Sequence, residues 1–227
     1  MNWKSFTSSK DKIQLLIFAT GIFTLTGLWK MKFLVWNETR NGTRIDDWVL
    51  NLVDARDLSL MISLITLLTL FAGFISIIQK PVMLIYGLNA FTIILIFRMT
   101  GMYFLPLEPP EDIIPLRDVV LESTFYSGKV LLKDLFFSGH TAHIFLMALL
   151  TNIVWLKRSL LVSAILIAIL LLVQHAHYTI DVVAAPVFAV AAYKLNILLT
   201  NKWLGTKVES KFLRSGVLKE EFKFLVS

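Results

Sequence analysis

A chain of 227 residues, 56% of them hydrophobic, with a mean hydropathy of +0.72, is not an ordinary soluble domain; it indicates a polytopic membrane protein. It has no cysteine, which excludes disulfides, thiolate metal sites and cysteine nucleophiles. Its net charge of +6 comes without a basic fold motif, so it reports topology and lipid contact, not nucleic-acid binding.

The polar N-terminus, 1–12, carries Lys4, Lys10 and Lys12. A first apolar run, about Ile13–Trp36, has Lys30 and Lys32 towards its outer end. It lacks a small-residue cleavage site and is expected to be a retained span. A charged loop, Asn37–Asp57, leads to a second span near Leu58–Ile78. Lys80-Pro81 makes a tight turn into a third near Val82–Tyr103, with Arg98 close to its end. The stretch from Phe104 to Phe137 holds Pro106, Pro109, Pro110 and Pro115 and is too polar to span. The fourth span is expected near Ser138–Leu156, a turn at Lys157-Arg158, the fifth at Ser159–His177 and the sixth at Thr179–Leu199. Each is close to the ~20 residues a bilayer needs. The expectation is an all-α bundle of six transmembrane helices forming one domain over 1–227, closed by a basic tail over 203–227.

Six spans place both termini on one side. Of the 22 Lys/Arg and 16 Asp/Glu, 13 and 4 fall in the segments on that side, against 9 and 12 on the other. The positive-inside rule then expects both termini in the cytosol. Arg98, Asp134, His140, His177 and Asp181 fall together at the opposite, non-cytosolic face.

All four histidines occupy two places: Ser138-Gly139-His140-Thr141-Ala142-His143 and His175-Ala176-His177-Tyr178-Thr179-Ile180-Asp181. Ionisable groups at a membrane boundary are costly unless solvated or paired, so such a cluster marks a candidate site. If helix continues from His177 to Asp181, the two share a face and can hydrogen-bond, fixing the imidazole tautomer. Three readings compete. The histidines can be interfacial residues in wet loops. They can hold zinc, since His140 and His143 are three apart, although no HExxH-type signature accompanies them. Or they can transfer a phosphoryl group. In that case His177, held by Asp181, attacks phosphorus, and His140 protonates the leaving alcohol. Arg98 neutralises phosphate oxygens or merely snorkels, and the helix start at Ser138-Gly139 offers free N–H groups to an anion. The third explains more of the cluster than the others.

Three stretches resemble the sphingomyelin synthase branch of the type 2 phosphatidic acid phosphatase superfamily. They are Arg98-Met99-Thr100-Gly101-Met102-Tyr103 followed by Leu105-Pro106-Leu107, Asp134-Leu135-Phe136-Phe137-Ser138-Gly139-His140-Thr141, and His177-Tyr178-Thr179-Ile180-Asp181-Val182 with Tyr193 trailing. Their order and spacing agree with the six spans of that branch. The ordinary lipid phosphatases have a proline before Ser-Gly-His and a Ser-Arg pair about six residues before the nucleophilic histidine. Here Phe137 and Leu170-Leu171 stand there, which favours the synthase branch.

The resemblance implies an enzyme that moves a phosphocholine- or phosphoethanolamine-type headgroup from a glycerophospholipid to a lipid alcohol such as ceramide, releasing diacylglycerol. His177 would be the nucleophile, Asp181 its partner and His140 the acid–base group. Arg98, Tyr103, Asp134, Ser138, Gly139 and Tyr178 would contact substrate. No cofactor and no metal is implied, and a homo-oligomer stays open. The alternative is a lipid phosphate phosphatase or phospholipase C-type hydrolase with water as acceptor; a non-catalytic lipid-binding scaffold is the third.

Overall fold

Regular structure follows the apolar runs closely. The computed structural model describes residues 3–116 and 130–204, and those residues form seven α-helices, one short 3-10 turn (Leu50–Leu52) and no strand. The α-helices are α1 (Trp3–Thr7), α2 (Lys10–Glu38), α3 (Ser59–Ile78), α4 (Pro81–Phe104), α5 (Gly139–Leu150), α6 (Val154–Val173) and α7 (Thr179–Leu204). Most of the expected basic tail lies outside the described residues.

Helices α2, α3, α4, α6 and α7 are each long and apolar enough to cross a bilayer. The α3–α4 turn falls at Lys80-Pro81 as expected, with Pro81 at the start of α4, where its missing N–H costs nothing. The fourth run differs from expectation. Helix α5 stops at Leu150 after 12 residues, which rise about 18 Å against the ~30 Å of a hydrocarbon core. An extended link through Thr151–Ile153 follows and can add at most about 10 Å. The expected turn at Lys157-Arg158 is therefore displaced: both residues lie in the first turns of α6, which starts at Val154.

Helix α4 is central, packing on α2, α3, α5 and α7. Helix α7 brings Ala185, Ala189 and Ala192 into the core, all fully buried. They recur at helical spacing, so they form one small-residue stripe of the kind that lets membrane helices pack closely. Around them lie Ile94 of α4, Ile144 and Leu146 of α5, and Leu160, Ile167 and Leu171 of α6.

At the end of the bundle where α2 and α4 finish, the connections are tied to the helices. Glu38 accepts N–H bonds from Leu132 (2.7 Å) and Lys133 (2.9 Å). Gln174 holds the Leu58 N–H (3.0 Å) and donates to the Ile114 carbonyl (3.1 Å). Asp47 reaches the start of α7, accepting from the Thr179 N–H (2.6 Å) and hydroxyl (2.9 Å). That is the work of an N-cap supplied from a distant loop. These ties hold 132–133 to the end of α2, and the α6–α7 turn to the loops that carry Asp47, Leu58 and Ile114, beside the candidate site.

Candidate active site

Arg98 sits about 9 Å before the end of α4, and only 2% of it is exposed. A guanidinium at that depth needs partners. Its Nε donates to the Phe137 carbonyl (2.9 Å) and its Nη2 to Asp134 Oδ1 (2.7 Å). Nη1 has no partner among the described residues and lies beside Gly139. A Cβ at position 139 would stand 2.5 Å from Nη1, so glycine is required for that approach.

Asp134 has a second cation, Lys30 Nζ of α2, at 3.7 Å. Burial pushes the Asp134 carboxyl up, but Arg98 and Lys30 outweigh it and hold it below the usual carboxylate range. Asp134 therefore stays ionised and orients Arg98.

His177 and Asp181 are brought together, though not by continuous helix. His177 lies in the non-helical turn before α7, and Asp181 lies in the first turn of α7. His177 Nδ1 is 3.3 Å from Asp181 Oδ2, long for a hydrogen bond. Oδ2 also accepts the Tyr178 N–H at 3.0 Å, and the Asp181 carbonyl accepts the Ser138 N–H at 3.0 Å. One residue thus links the two histidine motifs. With Nδ1–H facing the carboxylate, Nε2 carries the free lone pair. Asp181 is fully buried and its Oδ1 is unpartnered among the described residues. Such a carboxylate stabilises positive charge on the imidazole above it.

A cavity of about 330 Å³ collects these groups. It is lined by Arg98, Asp134, Gly139, His140 and His177, and also by Lys30, His143, Thr66 and apolar residues including Leu70 and Leu131. Besides the imidazoles, its wall holds two cations, Arg98 and Lys30, against one carboxylate, Asp134, which suits an anion. His140 has no hydrogen-bond partner among the described residues. His143 donates from Nδ1 to the Gly139 carbonyl (2.6 Å) and stacks on Phe91 (5.4 Å).

Three expected contact residues are not brought to the cavity wall. Tyr103 is 53% exposed and stacks on Trp36 on the other side of α4. The Tyr178 hydroxyl donates to the Glu108 carbonyl (2.9 Å) and accepts the Ile45 N–H (3.4 Å); burial pushes the phenol up, so it stays a neutral pin between loops. Ser138 is buried at the start of α5, its hydroxyl on Thr141 (3.2 Å). His175 is also elsewhere, bonded to the Val53 carbonyl (2.9 Å) with a left-handed φ of 54°. Lys30, Thr66 and His143 are polar lining residues to which the motifs assigned no contact role. No group of three or more His, Asp or Glu suited to a metal ion occurs among the described residues.

No curated protein and no solved structure matches the chain. Residues 133–197 match the family model described as PAP2 superfamily C-terminal, a stretch that carries Asp134, His140, His177 and Asp181. The match supports the type 2 phosphatidic acid phosphatase superfamily and fits a lipid phosphatase or phosphotransferase type of activity for this multi-pass membrane protein.

Proposed function

We propose that this chain is a phospho-headgroup transferase of the sphingomyelin synthase kind, acting from a glycerophospholipid to ceramide or another lipid alcohol. The observation that carries this reading is the meeting of His177, backed by Asp181, with His140 in one cavity walled by Arg98 and Lys30. His177 Nε2 attacks the donor phosphorus. The bond from phosphorus to the diacylglycerol oxygen breaks, and His140, entering the step protonated, gives that oxygen its proton and becomes neutral, releasing diacylglycerol. Arg98 Nη1 and the Lys30 ammonium neutralise the charge that builds on the phosphoryl oxygens. His140 then takes the proton from the acceptor hydroxyl, which attacks phosphorus and frees His177. Asp181 stabilises the imidazole while it carries positive charge.

Mass spectrometry of lipids after incubating the purified protein with mixed phospholipids and ceramide tests the reading. The expected result is a headgroup-bearing sphingolipid and an equal amount of diacylglycerol. Diacylglycerol with free phosphoalcohol or phosphate, independent of ceramide, would instead establish the hydrolase, which the superfamily match equally suits.

The active face is proposed to lie outside the cytosol, on the strength of the 13-to-9 division of Lys/Arg. A reporter fused after Ser227 is expected in the cytosol and one inserted near Asn41 outside it. The reverse result would move the donor lipid to the inner leaflet.

A further inference from the structure

The face of α4 turned away from the cavity forms, with α2, a second recess of about 580 Å³. Trp29, Lys32, Phe33 and Trp36 line it from α2, and Ile96, Met99, Thr100, Tyr103 and Phe104 from α4. Both sets recur at i, i+3, i+4, i+7, so each is one helix stripe. Trp36 and Tyr103 stack at 6.2 Å and close the end nearest the loops; aromatic residues of this kind mark the headgroup level.

Two polar groups interrupt this apolar wall. Lys32 is exposed and has no ion-pair partner among the described residues. One turn of helix separates it from Trp36, and a lysine stem is long enough to carry its ammonium up to that level. The Thr100 hydroxyl has no hydrogen-bond partner among the described residues, whereas those of Thr20, Thr69 and Thr92 bond back to their own helices. No carboxylate lines the recess. The faces of Trp36 and Tyr103, which would otherwise receive a quaternary ammonium, are taken by the Arg40 guanidinium at 4.8 and 5.3 Å.

We propose that this groove binds an anionic glycerophospholipid. One acyl chain lies along the α2–α4 seam, and the phosphate rests on the Lys32 ammonium and the Thr100 hydroxyl. One lining cation with no carboxylate in the recess favours a headgroup whose phosphate charge is uncompensated. This site is separate from the cavity: Arg98 and Lys30 face one side of the α2–α4 wall, Lys32 and Thr100 the other.

Tryptophan quenching by brominated lipids tests this. The full chain with Trp3, Trp48, Trp155 and Trp203 changed to Phe keeps Trp29 and Trp36 as probes. It is reconstituted in phosphatidylcholine vesicles containing brominated phosphatidylglycerol or brominated phosphatidylcholine. The phosphatidylglycerol is expected to exchange into the groove with about five-fold preference. Lys32→Gln is expected to abolish the preference and Lys32→Arg to keep it. Equal quenching by the two lipids, or a preference that survives Lys32→Gln, overturns the proposal. So does the absence of quenching by either lipid together with cross-linking between two copies through this face.

Discussion

His177→Ala is expected to abolish turnover, by a factor on the order of 10³–10⁴, while the protein keeps its helical content and its behaviour in detergent. The imidazole makes one hydrogen bond, to Asp181, and its side chain lines the cavity. Asp181 keeps the Tyr178 N–H at 3.0 Å without it. The loss is therefore chemical: no other group in the cavity pairs a free imidazole nitrogen with a buried carboxylate. Asp181→Asn is expected to lose less, because the amide oxygen can still hold Tyr178 and the imidazole remains in the cavity. What it forfeits is the charge that stabilises an imidazolium. Initial rates on a fluorescent phospholipid, with circular dichroism of each variant, make the comparison. A well-folded His177→Ala protein with more than a tenth of parental activity would sink the phosphohistidine mechanism.

Apolar runs made the helices legible, because burying a backbone in lipid leaves a chain little alternative to helix. Where a helix stops inside such a run is a different matter. Lys157-Arg158 reads as a turn because charges are costly in lipid, yet long basic side chains reach the interface from within a helix. The break falls instead at Thr151–Ile153, marked in sequence only by the adjacent polar pair Thr151-Asn152.

The site was legible where it was local. His140 and His177–Asp181 stood out as clustered ionisable residues. Their meeting is tertiary, made by the bond from the Ser138 N–H to the Asp181 carbonyl, and no pattern in the chain encodes it. Helix geometry also explains Tyr103. Five residues past Arg98, it is turned by about 140° around α4, so the two cannot share a wall even though one motif holds both. Lys30 carried a usable signal, a charge inside an apolar run, but its partner Asp134 is remote in sequence. His143 was visible as a metal candidate, and only the stacking on Phe91 and the bond to Gly139 place it in the cavity wall.

Arg98→Lys preserves the charge and is nonetheless expected to lower kcat/KM by about 10²–10³. The guanidinium does three things from fixed directions. Nε holds the Phe137 carbonyl, Nη2 holds Asp134, and Nη1 is left towards the cavity. An ammonium is a single point and cannot reach all three. If it turns to Asp134, 130–138 loses its tie at Phe137 and the substrate phosphate loses its donor. Gly139→Ala is expected to damage the same contact from the other side, because its Cβ would crowd Nη1 and Cζ at 2.5 and 2.8 Å. The two substitutions therefore act on one interaction and are not additive. Once Arg98 is Lys, the added methyl has less to collide with, and Gly139→Ala is expected to cost several-fold less than it does in the parental protein. Steady-state kinetics on the four proteins of this cycle decide the matter. Full additivity, with each change costing the same in both backgrounds, would mean that Gly139 is needed for something other than the approach of Arg98.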